Sequence, residues 1–276
     1  TGNQTYNGNV ELAGNTTLSG ADITLNGSLN EAVPTSEAAL TINSTGGAVN
    51  FNGATHHLGT GGLLVSGADA ATFNGTFSAT GNAGISVDTA RSITLNSGAE
   101  FNLTNGNVTL LANQQPVAST GVFAGVVLNG ASITTVDGDV TLMGRGGNTS
   151  LGNDGVIIQG GGGVTSTGTG NIAVTGTSGS PGNTGVVISG PGTVISAANG
   201  AIQLSGSSAG IQGAVQSASG NVSIASPVTL IGDLNVAGSA VTFSSTIAGN
   251  GRNLTSSGTT TFRGNVMSLN SLTVNG

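Results

Sequence analysis

A right-handed parallel β-helix, three-sided and with about 20 residues per coil, is the fold class this sequence predicts. Three observations predict it. Short apolar pairs recur every six or seven residues, glycine and asparagine punctuate them, and one motif returns at the same place in successive units. Self-similarity at a fixed short period marks a solenoid, in which no unit can bury its apolar face alone and each must stack on the next.

The first motif is glycine, a small or polar residue, then two apolar residues in alternation. It appears as Gly106-Asn107-Val108-Thr109-Leu110, Gly138-Asp139-Val140-Thr141-Leu142, Gly170-Asn171-Ile172-Ala173-Val174, Gly200-Ala201-Ile202-Gln203-Leu204 and Gly220-Asn221-Val222-Ser223-Ile224. A second motif runs beside it: Gly125-Val126-Val127-Leu128, Gly155-Val156-Ile157-Ile158, Gly185-Val186-Val187-Ile188 and a reduced Gly210-Ile211. A third strand follows at Ile133, Val164, Val194 and Val215. Alternation over a few residues is the pattern of a strand with one face buried. Glycine and asparagine supply the corners that β-branched residues cannot turn.

Outside the middle, the same unit is plainer. Apolar pairs lie at Val10/Leu12, Thr16/Leu18, Ile23/Leu25, Leu40/Ile42, Val49/Phe51 and Leu63/Val65, and again at Val222/Ile224, Val228/Leu230, Leu234/Val236, Val241/Phe243 and Leu272/Val274. We read residues 1–276 as one β-helical unit: N-terminal coils over 1–105, coils with loop insertions over 106–219, and undecorated coils over 220–276. An α-helical reading fails because glycine and β-branched residues are poor helix formers. An antiparallel sandwich would not predict a constant spacing.

Composition excludes several function classes. Of 276 residues 50 are glycine, only 5% are charged, and lysine and cysteine are absent. The four cations, Arg91, Arg145, Arg252 and Arg263, are scattered in a chain of net charge −7, which argues against nucleic acid and anionic membranes as partners. No apolar run reaches membrane-spanning length, and thiol or zinc–thiolate chemistry is impossible. Low charge suits stacked coils, where like charges would lie about 4.8 Å apart, while Asn, Thr and Ser can form ladders. Most asparagines are therefore expected to be structural.

The opening Gly2-Asn3-Gln4-Thr5-Tyr6-Asn7-Gly8-Asn9-Val10-Glu11-Leu12 with Asn15-Thr16-Thr17-Leu18, and the closing Val241 to Ile247, Leu254 to Phe262 and Leu269 to Val274, resemble repeats of filamentous-haemagglutinin-like exoproteins. The resemblance covers residues 1–30 and 220–276. It implies a secreted or surface-located adhesin of Gram-negative bacteria or cyanobacteria, exported through a partner outer-membrane pore. Its implied ligand is a glycan or protein on a host or neighbouring cell. The two ends match head to tail, so the chain is expected to be a segment of a longer array. No signal peptide opens it. Some adhesins of this class are glycosylated at Asn-x-Ser/Thr triplets, which occur here at Asn15, Asn26, Asn43, Asn74, Asn102, Asn148 and Asn253.

Function on a solenoid usually sits on insertions. Residues 111–124, 143–154, 175–184 and 205–209 separate the first and second motifs and shorten progressively. They should stack into one tapering ridge carrying Gln114, Gln115, Arg145, Asn148, Asn153, Asp154 and Asn183, the candidate contact residues. A plainer reading makes the loops tolerated decorations. A smaller insertion runs from Asn30 to Ala39, with Glu31, Pro34 and Glu37. His56-His57 face opposite sides of a strand and are expected to be an exposed or corner pair. Asp137-Gly138-Asp139 would need an Asp in every turn to bind calcium, and the equivalent positions are Asn171, Ala201 and Asn221.

No catalytic, cofactor or metal residues are predicted. Sugar hydrolysis needs two placed carboxylates, and the eleven acids are dispersed. A polysaccharide-acting or ice-binding β-helix is the alternative. Ice binding would need a repeated Thr-x-Thr on one face, and the outward column Thr109, Thr141, Ala173, Gln203 and Ser223 decays after two turns.

Overall fold

The computed structural model describes residues 2–32 and 37–276; Pro34 of the small insertion lies outside them. The chain is all β, and its strands form a parallel β-helix with three faces. The first face stacks Thr16–Gly20, Leu40–Ser44, the leading halves of Leu63–Phe73 and Ile85–Leu95, then Val108–Ala112, Val140–Arg145, Ile172–Thr177, Ile202–Gly206 and Val222–Ile224. The second face begins with Gln4–Tyr6 and Ile23–Leu25 and continues through Val126–Asn129, Val156–Gln159 and Val186–Ile188 to Val266–Met267. The third runs from Val10–Leu12 through Leu29–Glu31, Thr55–His57 and Thr76–Ala79 to Ser271–Asn275. Every pairing is parallel, and about a dozen levels at roughly 4.8 Å give a rod on the order of 55 Å long.

The motif columns predicted from sequence are the hydrogen-bonded columns. Val108 pairs with Val140, Val140 with Ile172, Ile172 with Ile202 and Ile202 with Val222. All five are buried. Two positions are corrected. On the third face Val164 pairs with Ile195, so Ile195 is the buried member and Val194 points outward. A one-residue slip inverts every side chain because the strand period is two. On the second face Ile211 lies over Ile188 and Gly210 over Val187, two residues away from the motif alignment, so Ile211 still faces inward. The ladder passes residues 105/106 and 219/220 without a break: Phe101 pairs with Ile133, and Ile211 with Leu230.

The core is largely aliphatic; near the N-terminal end Phe51, Phe73, Phe77 and Phe101 interlock with ring centroids 5.0–5.3 Å apart, and near the other end Phe243 stacks on Phe262. Such pairs each contribute about 0.5–1.5 kcal/mol beyond burial. His56 stands in this stack. The expected exposed or corner pair is half wrong: His57 is exposed, but His56 is fully buried. Its column reads Leu29, His56, Phe77, Phe101, so alternation alone sends it inward. The imidazole stacks on Phe77 at 4.2 Å and makes a 3.0 Å hydrogen bond from Nε2 to Gly53 O, while Nδ1 has no partner.

Glycine at the corner before the first-face strands of the middle coils is required by packing. A Cβ on Gly138 would overlap the carbonyl oxygen of Gly106, and one on Gly170 that of Gly138. Replacing Gly138 by Ala must push coils apart or shift the corner, a change expected to cost about 1–3 kcal/mol and read as a lowered thermal midpoint.

Burial, with a smaller contribution from neighbouring His57, lowers the His56 pKa from 6.5 to about 4. Above pH 6.5 the ring is neutral folded and unfolded. As pH falls below 6.5 the unfolded chain gains a proton that the folded chain refuses, so stability drops, by up to about 1.4 kcal/mol per pH unit, until pH approaches 4. Thermal melts between pH 7 and 4.5 should therefore fall more steeply for the wild type than for His56→Phe; parallel slopes would show that His56 is not the titrating group.

Candidate functional site

The first-face strands run further than the motif spacing suggested, to Ala112, Arg145 and Thr177, so the insertions are 113–125, 146–155, 178–185 and a two-residue 207–208. They leave the rod at one corner and stack. Gly147 N bonds to Phe123 O, Gly179 N to Asn153 O, and Gly125 N to Asp154 O, at 2.9–3.0 Å. The ridge is therefore a continuation of the coil-to-coil ladder by irregular backbone.

Its polar side chains hold the loops together. Asn153 is fully buried: Oδ1 accepts from Phe123 N at 3.0 Å, and Nδ2 donates to Thr149 O, Ser150 O and Ser180 Oγ. Asn183 Oδ1 accepts from the backbone of Gly152 and Asn153, and its Nδ2 reaches Ser150 and Ser180. Asp154 Oδ1 accepts from Thr184 N, and Asn148 Oδ1 from Gly121 N. Gln115 Nε2 contacts Ala90 O, Asn113 Oδ1 and Ser119 Oγ, Gln114 Nε2 donates to Ala112 O, and Arg145 Nη2 donates to Gln115 O. The seven residues are thus gathered on one ridge, but only Asn148 is exposed. Sequence reading missed the residue that anchors the first loop, Asn113. It is buried at φ +59°, where asparagine is tolerated, and donates to Arg145 O and Gly146 O.

What the ridge presents to solvent is apolar. Val117 is 83% exposed, Leu151 69% and Val122 57%, the three most exposed large hydrophobic side chains of the described residues. Pro116 and Pro181 are also exposed beside them. Phe123 is half-buried beneath the Arg91 guanidinium, 4.8 Å from its ring, and Arg91 also lies 3.6 Å from Asp69. The sequence signal for these tips was the placement of Val and Leu beside proline and glycine, outside any alternating run.

The other polar groups serve the stack. Asn26, Asn52, Asn74 and Asn96 each donate to the asparagine of the preceding coil, starting at Asn7, at 2.7–2.8 Å. Asp139 Oδ1 accepts from Asn171 N and Nδ2. Hydrogen bonds from Thr169 N and Oγ1 hold the Asp137 carboxyl below its usual range. Both aspartates of the calcium-like triplet are thereby occupied by the next coil. Among the described residues no three His, Asp or Glu side chains converge, and no helix is long and apolar enough to cross a membrane.

Removing the Asn153 side chain leaves Phe123 N–H and nearby loop groups without partners, at about 1–3 kcal/mol for each one that water cannot reach. Asn153→Ala should leave the β-sheet circular dichroism intact and make the 146–155 loop cleavable under limited proteolysis, whereas an unchanged digestion pattern would deny it the anchoring role. Compared with known proteins, the chain matches no family model, no curated protein and no solved structure.

Proposed function

We propose that the chain is the shaft of a secreted bacterial surface protein of the filamentous-haemagglutinin-like kind: a non-enzymatic adhesin stalk or extracellular scaffold, whose parent protein leaves through an outer-membrane pore. The observation that carries this reading is the unbroken parallel ladder, in which each coil is bonded to the next along all three faces. Such a rod gives length and stiffness. Its outer columns are Asn, Thr and Ser rather than paired carboxylates or sugar-stacking aromatics, and the only tyrosine is Tyr6. The absence of cysteine suits export of an unfolded chain. Contact with a glycan or protein of another cell is assigned to the ridge, through the apolar tips held up by its asparagine network.

A binding screen against glycans and matrix proteins tests this. The intact rod is expected to bind, and the triple variant Val117→Ser, Val122→Ser, Leu151→Ser to lose at least tenfold in affinity with unchanged circular dichroism. If the intact rod binds nothing, adhesion by this segment is refuted and a spacer role remains.

One array favours a second reading, binding to ordered water. On the second face Thr5/Asn7, Thr24/Asn26, Asn50/Asn52, Thr72/Asn74 and Thr94/Asn96 form two regular outward columns over five coils. Thermal hysteresis abolished by Thr24→Tyr with Thr72→Tyr would support it; no hysteresis in the wild type would end it.

A further inference from the structure

The outward column of the second face changes character where the loops arise. Along the register it reads Thr5, Thr24, Asn50, Thr72 and Thr94, then Val127, Ile157 and Val187, then Gly210 and Thr229. Each of the three aliphatic side chains is partly exposed and stands two residues after the end of a loop, 113–125, 146–155 or 178–185. At the next level Gly210 leaves a gap that a neighbour fills: a Cβ there would lie 3.6 Å from Ile231 Cγ2, and Ile231 is 39% exposed. The backbone does not ask for this change. Threonine has the shape of valine, and it occupies the same column in coils on either side.

The loop tips are stacked too. Val122 Cγ1 lies 3.8 Å from where a Cβ on Gly152 would stand, and Leu151 Cδ2 lies 3.6 Å from where one on Gly182 would stand. Both glycines have φ +85°, so successive loops repeat one turn at their tips. A raised aliphatic line thus runs along the rod, and each loop leads from it directly into the flat aliphatic column. Asp154 is the one charged residue in these three loops and the strands that follow them, and its Oδ1 is taken by Thr184 N. Sugar recognition relies on hydrogen-bonding groups and stacking rings, whereas this strip offers aliphatic side chains.

We propose that the strip is the docking surface for a second copy of the chain, with the two rods side by side and antiparallel. It carries both halves of such a contact. A two-fold axis set across the rods at the level of Leu151 and Ile157 lays each copy's raised tips on the other's flat column, the self-complementary arrangement of a symmetric dimer. This deepens the reading of the ridge as the contact surface by naming its partner, so that rods on neighbouring cells hold one another. The strip is on the order of 500 Å², as large as the largest apolar patch on an ordinary monomer. A pair would therefore bury about 1,000 Å² in total, the lower limit of a specific interface and the range of weak, reversible ones. Weak single contacts add up where many rods are arrayed together.

Sedimentation of the full chain up to about 1 mM tests this, with a reversible dimer expected at a dissociation constant on the order of 100 µM. Raising NaCl from about 0.05 to about 0.5 M should leave the dimer intact or tighten it, because the strip is uncharged and the net charge of −7 repels its copy. The triple variant Val127→Thr, Ile157→Thr, Val187→Thr restores the column of the neighbouring coils, so circular dichroism and thermal midpoint should hold while affinity falls at least tenfold. The chain has no cysteine of its own, so an equimolar mixture of Leu151→Cys and Ile157→Cys chains should oxidise mainly to the mixed disulfide. A wild type that stays monomeric, a dimer that survives the triple variant, or a preference for like-with-like disulfides would each overturn the proposal. Self-association uses the purified chain alone, so its failure is distinguishable from failure to bind glycans or matrix proteins.

Discussion

Parallel hydrogen bonding between successive coils is the constraint on which the rest of this molecule depends. Each strand finds its partners one coil away, typically 19 to 32 residues along the chain, as Gln4 pairs with Ile23 and Val108 with Val140. A coil cannot satisfy its own backbone. Register is therefore common property: once Val108, Val140 and Ile172 are aligned on one face, the residues at both corners are fixed for the other two. The inward columns follow from register, and burial follows from the columns. Coil length is free to vary only where chain can leave the rod at a corner, which is where the loops of 113–125, 146–155 and 178–185 depart.

Stacking at about 4.8 Å also governs the chemistry outside the core. A charge repeated at that spacing repels its copy, whereas an amide both donates and accepts. Asn7 through Asn96 exploit this directly, as a chain of side-chain hydrogen bonds running along the rod. Where an aspartate does occur it is used as an acceptor for the next coil's backbone, as Asp139 is for Asn171 and Asp233 for Asn253. Hydrogen bonds from Asn253, aided by Arg252, hold the Asp233 carboxyl below its usual range. The small number of charges is thus a property of the repeat itself and carries no information about a ligand.

The fold was legible because the first-face strands of the middle coils carry two apolar residues each behind a recurring glycine step, and the second-face strands nearly so. The third face was not. Leu29–Glu31 and Glu100–Leu103 have one or two apolar residues among polar ones and Thr55–His57 has none, too weak an alternation to stand out. There the neighbouring coil, rather than local pattern, decides which side is buried. The same effect produced the choice of Val194 over Ile195: both are β-branched, and only pairing with Val164 separates them. On the ridge, position was legible and role was not. Loop asparagines look alike in sequence whether they face a ligand or, as Asn153 does, bond several parts of their own loop.

Several inward positions are polar: Ser44, Thr135, Ser166 and Ser217 turn their hydroxyls onto nearby backbone carbonyls, and near the N-terminal end His56 and Glu31 also interrupt the apolar columns. His56 is accommodated as a neutral ring: Phe51 and Phe77 pack against it, and Gly53 O takes its one N–H. Its unpartnered Nδ1 costs some stability at any pH, and protonation adds a further cost in acid. Glu31 pairs with apolar Leu12, and among the described residues neither of its carboxylate oxygens meets a donor. A leucine there would satisfy the column, and a repeat protein offers a ready template for one in every other coil. A residue that departs from its repeat at a standing cost in stability marks a place where something other than stability fixed the choice.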